Sequence, residues 1–190
     1  MYHKIMNKKC KEAIRDDLYR KYGKRKFSFF ELATLSNSSK MLILLRRYQF
    51  SHNSLSKFFL KLRLRHYRVK TGNEIRPETN FGRGLLLIHE GPRFISPNAT
   101  IGNNVNLMQG VTIGSEWRGK RIGAPVIGDR VWLGPFSVLT GKIKIGDNVL
   151  VAGGAFVNFD VPNDSIVIGN PAKIIHSESA TEHYVENLVS

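Results

Sequence analysis

An apolar residue followed by a small one returns every six residues through the second half of the chain. Ile101-Gly102, Leu107, Ile113-Gly114, Ile127-Gly128, Leu133-Gly134, Leu139, Ile145-Gly146, Val151-Ala152 and Val157 mark this run. A weaker run precedes it at Ile75, Phe81 and Leu87, and a two-residue slip leads to Ile95. Halfway through most hexads stands a second apolar or small residue, as at Val105, Val111, Val131, Val149 and Ala155. The period is too long for one face of a helix and too regular for a sandwich, whose strands need turn signals every ~8–12 residues. It predicts a mainly β, triangular parallel solenoid: three hexads make a coil, the apolar residue points inward on each side, and the small residue lets the backbone turn the corner. Coils then stack at about 4.8 Å, the ordinary strand spacing.

Two segments leave this frame. Ser115 to Pro125, SEWRGKRIGAP, has to protrude as a loop, and loops on rigid scaffolds are where binding residues concentrate. VPNDSIVIGNPAKII ends the coil before a polar tail, 176–190, expected to be partly mobile.

The first third follows a different rhythm. Apolar positions recur at three- and four-residue steps in Phe29, Leu32 and Leu35 and around Met41, Leu44, Leu45 and Tyr48, which predicts helices, and Ser51 is a candidate start for a last one. In that helix Leu55, Phe58, Phe59 and Leu62 form an apolar stripe beside Lys57, Lys61, Arg63, Arg65 and Arg68. The simpler expectation is a stripe packed on its own domain with a solvated basic face; the alternative is peripheral membrane contact. The predicted organisation is a basic α-helical region over 1–72, a solenoid over 73–175 and a tail over 176–190.

Composition sharpens this picture in three places. With 42% hydrophobic residues among 190, the chain can fill a core. Residues 1–72 hold 19 of the 29 Lys+Arg and 4 of the 15 Asp+Glu, whereas 73–190 hold 10 against 11, so the whole excess of +14 is N-terminal. That surface suits anionic headgroups or an acidic glycan. Nucleic acid is not expected as a partner, because the near-neutral repeat carries no stacking-aromatic and basic module. The opening MYHKIMNKKCKEAIRDDL lacks an apolar run of signal-peptide length, which makes the cytoplasm the expected compartment, with or without association at the inner face of the membrane. Cys10, the single cysteine, reads as an ordinary surface or partly buried thiol, and no Cys/His cluster calls for a metal.

The stretches EIRPETNFGRGLLLIHEG, ISPNATIGNNVNLMQGVTIG, IGDRVWLG and GNPAKII, spanning Glu74 to Ile175, together resemble the hexapeptide-repeat acyltransferases, specifically the serine acetyltransferase branch. The resemblance implies a left-handed β-helix, a homotrimer, and acetyl-CoA as co-substrate lying between neighbouring copies. It implies His89 as the base that takes the acceptor hydroxyl's proton, chemistry suited to imidazole near neutral pH. Glu74 falls where the family has an aspartate that orients the imidazole, one methylene longer here. Gly134, Pro135, Ala152 and Gly153 match the positions along the pantetheine arm, although Pro135 has no N–H to donate. Lys173 matches a lysine near the nucleotide phosphates.

The acceptor side departs from the branch. Its members carry an aspartate before the catalytic histidine and an Arg-His pair on the protruding loop, which hold the ammonium and carboxylate of serine. Here Ile88, Gly123 and Ala124 stand in those places, and an apolar site binds a zwitterion poorly. A sugar hydroxyl of a cell-surface polysaccharide or its precursor is the expected acceptor. Trp117 offers a face for stacking on a pyranose, and Arg118, Lys120 and Arg121 can bind its hydroxyls or carboxylates. Serine O-acetylation is the alternative, and a non-catalytic binding solenoid is an alternative of another class.

Overall fold

A computed structural model describes residues 7–189. Four helices come first: α1 (Lys8–Tyr22), α2 (Phe29–Thr34), α3 (Asn37–Gln49) and α4 (Ser54–Thr71). Each opens on a polar cap, Asn7, Ser28, Ser36 or Asn53, whose side chain accepts a backbone N–H of the first turn. The cap of α4 is therefore Asn53, two residues beyond the expected Ser51, because the Asn53 carboxamide accepts from Ser56 N while the Ser51 hydroxyl is turned to the Asn53 carbonyl. Gly72 ends α4 at φ +70, a left-handed conformation that suits glycine.

Fifteen short strands follow, numbered in chain order and arranged on three faces of a solenoid of about five turns. The first face holds β1 (Asn73–Ile75), β4 (Arg93–Ile95), β7 (Thr112–Gly114), β10 (Val138–Thr140) and β13 (Phe156–Val157). The second holds β2 (Asn80–Phe81), β5 (Thr100–Ile101), β8 (Val126–Ile127) and β11 (Lys144–Ile145). The third holds β3 (Leu86–Leu87), β6 (Asn106–Leu107), β9 (Trp132–Leu133), β12 (Val149–Val151), β14 (Ser165–Ile168) and, antiparallel at its end, β15 (Lys173–His176). Every other pairing is parallel, and the register aligns like positions. Ile75, Ile95, Ile113, Leu139 and Val157 form one inward column, and Leu87, Leu107, Leu133, Val151 and Val167 another, all buried. The hexad pattern therefore predicts these columns except Val167, which lies in the stretch expected to leave the coil; there β14 continues the third face in parallel with β12.

The corner between the second and third faces carries a polar ladder. Arg83 N donates to Asn103 Oδ1, Asn103 N to Asp129 Oδ1, Asp129 N to Asp147 Oδ1 and Asp147 N to Asn163 Oδ1, at 2.7–2.9 Å, one rung per coil. The residue after each rung, Asn104, Arg130, Asn148 or Asp164, sits at φ +53 to +55. Three of these four are Asn or Asp, the side chains that tolerate this conformation best.

Three sequence expectations change here. The tail is ordered: Asn148, Asn106 and Asn104 hydrogen-bond the backbone of Glu178, Tyr184 and Val189 in turn, the Tyr184 ring meets Trp132, and Ala180, Val185 and Val189 are buried. Cys10 is buried in α1, and burial pushes its thiol up. The stripe of α4 points outward, because α4 packs through Leu64 with Leu60 and Tyr67, leaving Leu55, Phe58, Phe59 and Leu62 between 50% and 65% exposed.

The helices are joined to the first coil by buried arginines. Both oxygens of Asp17 take Arg46 at 2.7 and 2.8 Å, Arg46 also donates to the Phe81 and Gly82 carbonyls, and Leu85 N donates to Asp17. Burial raises the Asp17 pKa, against the opposing pull of the Arg46 guanidinium and the Leu85 amide. Arg20 donates to the carbonyls of Gly84 and Asn104, and its desolvation lowers its pKa to about 10. Arg46→Met strands the Asp17 carboxylate in the interior and lowers stability by about 3–5 kcal/mol in urea unfolding. Glu78→Gln, at the exposed Lys61 pair of 2.7 Å, leaves the midpoint nearly unchanged. Equal losses from the two variants contradict this assignment.

Candidate active site

The edge where the third face turns into the first collects most of the residues singled out by sequence. His89 lies in the turn between β3 and β4, Gly134 and Pro135 in the turn between β9 and β10, and Ala152 and Gly153 between β12 and β13. Lys173 opens β15, paired with Ile168 beyond the last turn of the same edge. The edge rises four coil steps from His89, roughly 19 Å at strand spacing. It is smooth because side chains are missing where coils nest: a Cβ on Gly134 would stand 2.6 Å from the Gly153 amide nitrogen. Among the described residues, the backbone N–H groups of Gln109 and Gly153 on this edge have no acceptor, so each is a free donor for a ligand amide or carbonyl.

The His89 imidazole is exposed and has no hydrogen bond from another described residue. Glu74 is not its partner in this arrangement. The Glu74 carboxylate, on the outer side of β1, accepts instead from Arg68 at 2.8 Å near the end of α4. The loop lies elsewhere. It leaves the edge between the first and second faces as a short hairpin pinned by two Glu116–Gly123 backbone hydrogen bonds of 2.9 and 3.0 Å. Trp117 is 83% exposed at its tip and Arg118 and Lys120 are exposed, while Arg121 is turned back to Asp160 at 3.3 Å. One chain thus places His89 and the positions expected to meet a cofactor on one edge and the loop on the next. Among the described residues no group of His, Cys, Asp and Glu could hold a metal.

Two residues on the His89 edge escaped the sequence reading. Gln109 fills the slot between His89 and Pro135, and its buried Oε1 has no partner among the described residues. Phe136, next to Pro135, is 64% exposed at φ +58 with its ring against Gly110. A bulky residue held in that conformation on the edge marks a site where shape is constrained. The signal for Gln109 was present, two positions after Leu107 in the hexad frame; nothing in the sequence announces the φ of Phe136.

The pattern of bacterial transferase hexapeptides (six repeats) matches residues 124–158. The serine acetyltransferase of Helicobacter pylori (strain ATCC 700392 / 26695) is 35% identical over 132 residues, covering 68% of this chain and 71% of its own. The chain belongs to the hexapeptide-repeat transferases. Serine acetyltransferase 2 of Arabidopsis thaliana is 36% identical over 180 residues, 89% of this chain and 53% of its own. The chain spans only 29–53% of the length of the Arabidopsis relatives it matches. Soybean serine acetyltransferase, solved without ligand, superposes with a TM-score of 0.75 at 25% identity, over 89% of this chain and 70% of that one. The solenoid is the left-handed β-helix of these transferases.

Gly134→Ala forces adjacent coils of the edge apart and costs about 1–3 kcal/mol. Gly153→Ala, whose Cβ would meet Pro135 no closer than its carbonyl oxygen at 3.2 Å, costs less. Chemical denaturation of the two variants checks the order; a costlier Gly153→Ala contradicts the nesting.

Proposed function

We propose that this chain is an acetyl-CoA-dependent O-acetyltransferase with His89 as general base. The observation that carries the reading is the single edge that aligns His89 with Gly134, Pro135, Ala152, Gly153 and Lys173. The acetyl donor is supported by the likeness to serine acetyltransferases. The pantetheine arm follows the edge, taking the free N–H groups of Gln109 and Gly153, and Lys173 meets the nucleotide phosphates as a compact cation. An Nε or Nδ lone pair of the His89 ring removes the acceptor hydroxyl's proton as its oxygen attacks the thioester carbonyl. The C–S bond then breaks, and the proton passes from the imidazolium to the departing thiolate. Glu74 orients the ring once it exchanges Arg68 for His89.

A homotrimer completes the site in this reading, because it brings the loop of one copy to the His89 edge of its neighbour, which a single chain does not do. Serine is the acceptor that the relatives' names support, and it stands ahead of the sugar expected from sequence. One observation keeps the sugar as a second reading: Ile88, Gly123 and Ala124 offer no charged group to a zwitterion, and the loop presents an exposed Trp117 with Arg118 and Lys120. Contact with an anionic membrane through the outward stripe of α4 and its lysines belongs to that second reading. Among the described residues, no helix is long and apolar enough to cross a membrane.

Thiol release from acetyl-CoA, measured with serine and with neutral and acidic glycans, decides between them. Turnover with serine establishes the first reading and turnover with a glycan alone the second. His89→Ala lowers either rate by roughly 10²–10⁴-fold, and a loss below about tenfold contradicts His89 as the base. Lys173→Ala weakens acetyl-CoA binding about two- to fivefold, as for an exposed ion pair, and leaves S-acetylpantetheine binding unchanged in titration calorimetry. Equal weakening of both ligands contradicts the phosphate role.

A further inference from the structure

Directly beneath His89 lies an arginine that the reaction does not use. Arg93 is fully buried, and its guanidinium spends its donors on four acceptors. Nε donates to the Leu107 carbonyl at 3.1 Å, Nη1 to Asn73 Oδ1 and to the Gly91 carbonyl at 3.1 Å each, and Nη2 to the His89 carbonyl at 2.6 Å. None of the four is a carboxylate. Desolvation lowers the Arg93 pKa to about 10, with Glu90 nearby the group that opposes the fall. A buried cation with no ion-pair partner is a poor device for stability, since an apolar side chain of similar volume often does as well. Its geometry is instead that of a collector: one rigid fork gathers two carbonyls of the His89 turn and one carbonyl of the next coil.

The network closes through the helical region. Asn73, buried, passes its Nδ2 to Ser38 Oγ at 3.3 Å, and Ser38 is buried in the first turn of α3. Ser38 N donates to Glu90 Oε1 at 3.1 Å, so the carboxylate next to His89 sits on the positive end of that helix. Lys21 of α1 adds a bond of 3.0 Å to the Leu87 carbonyl, just before the turn. Backbone, Glu90, Ser38, Asn73, Arg93 and backbone again make a closed circuit around His89. The turn is held from inside by Arg93 and from outside by α3.

We propose that Arg93 and Glu90 are positioning residues for His89, and that the helical region works in acyl transfer by docking α3 against the base's turn. The inference rests on the reading of His89 as the base. Through the fixed His89 carbonyl, Arg93 sets where the imidazole leaves the edge, and Glu90 limits how far the turn can swing from the coil.

The test uses the full chain and three variants, Arg93→Met, Arg93→Lys and Glu90→Ala. kcat and KM for acetyl-CoA are measured by thiol release with the acceptor that the wild type uses, and the His89 ring resonances are followed by NMR, assigned against His89→Ala. Arg93→Met lowers kcat on the order of 10–100-fold, the scale of an ångström's misplacement of a reacting group. KM for acetyl-CoA stays within about threefold, because the rest of the edge is untouched. Arg93→Lys, with fewer donors, falls between. The His89 resonances shift or broaden in both. Should Arg93→Met fail to fold, Glu90→Ala, an exposed residue, carries the test with a smaller drop in kcat and the same movement of the ring signals. A kcat within about threefold of wild type together with unmoved ring resonances overturns the proposal. A wild type without turnover, or a His89→Ala variant that keeps it, overturns the acyltransfer reading instead. The ring resonances of the Arg93 and Glu90 variants then still decide whether these residues hold the turn.

Discussion

Parallel backbone hydrogen bonding between successive coils is the constraint on which the rest of the molecule depends. Each coil lends its carbonyls to the N–H groups of a neighbour, as Leu133 accepts from Met108 N and Val151 from Gly134 N, so a residue's place in the hexad becomes its place in space. Inward columns of Ile, Leu and Val make this register the favoured one, because a slip of one residue would turn each column out to solvent. Chemistry then needs no long-range search. Residues as far apart in sequence as His89 and Gly153 fall on one edge because they occupy the same slot of the repeat.

A rigid edge of this kind suits acyl transfer from a long, flexible donor. On the proposed reading, the donor's arm loses its freedom against this edge, where the amides of Gln109 and Gly153 have no acceptor among the described residues. The turn carrying His89 belongs to the first coil, where the ladder has a neighbour on one side only. The helices supply the missing side: Arg46 and Arg20 reach the carbonyls at the base of the solenoid, while α3 and Arg93 grip the turn itself. If His89 is the proposed base, its position and the attachment of the helical region are one structural problem with one solution.

Much of this was legible in the sequence, and the boundary of legibility has a physical cause. The inward residues and the loop at 115–125 followed from periodicity, since the repeat converts sequence spacing directly into position, whereas His89 and the residues sharing its edge were singled out by the family resemblance. Arg20, Arg46 and Arg93 were not legible, because an arginine reads as solvated until its carbonyl partners are seen, the more so for Arg20 and Arg46 within the basic region. The ordered tail was missed because nothing in the repeat marks Asn104, Asn106 and Asn148 as the side chains that hold it. Glu74 was paired with His89 by the family resemblance alone, while in the folded chain Arg68 lies within reach and takes it. The outward stripe of α4 was misassigned because amphipathicity shows that a face is apolar without showing what it meets.

The central claim is that one edge of the solenoid holds the donor, with its reacting end at His89. A crystal structure of the full chain with CoA tests it most directly. The account predicts the sulfur beside the His89 ring, the pantetheine arm along Gln109, Pro135 and Gly153, and the phosphates by Lys173, with a second copy closing the groove. CoA bound on another face, or bound here with its nucleotide at the His89 end, contradicts it.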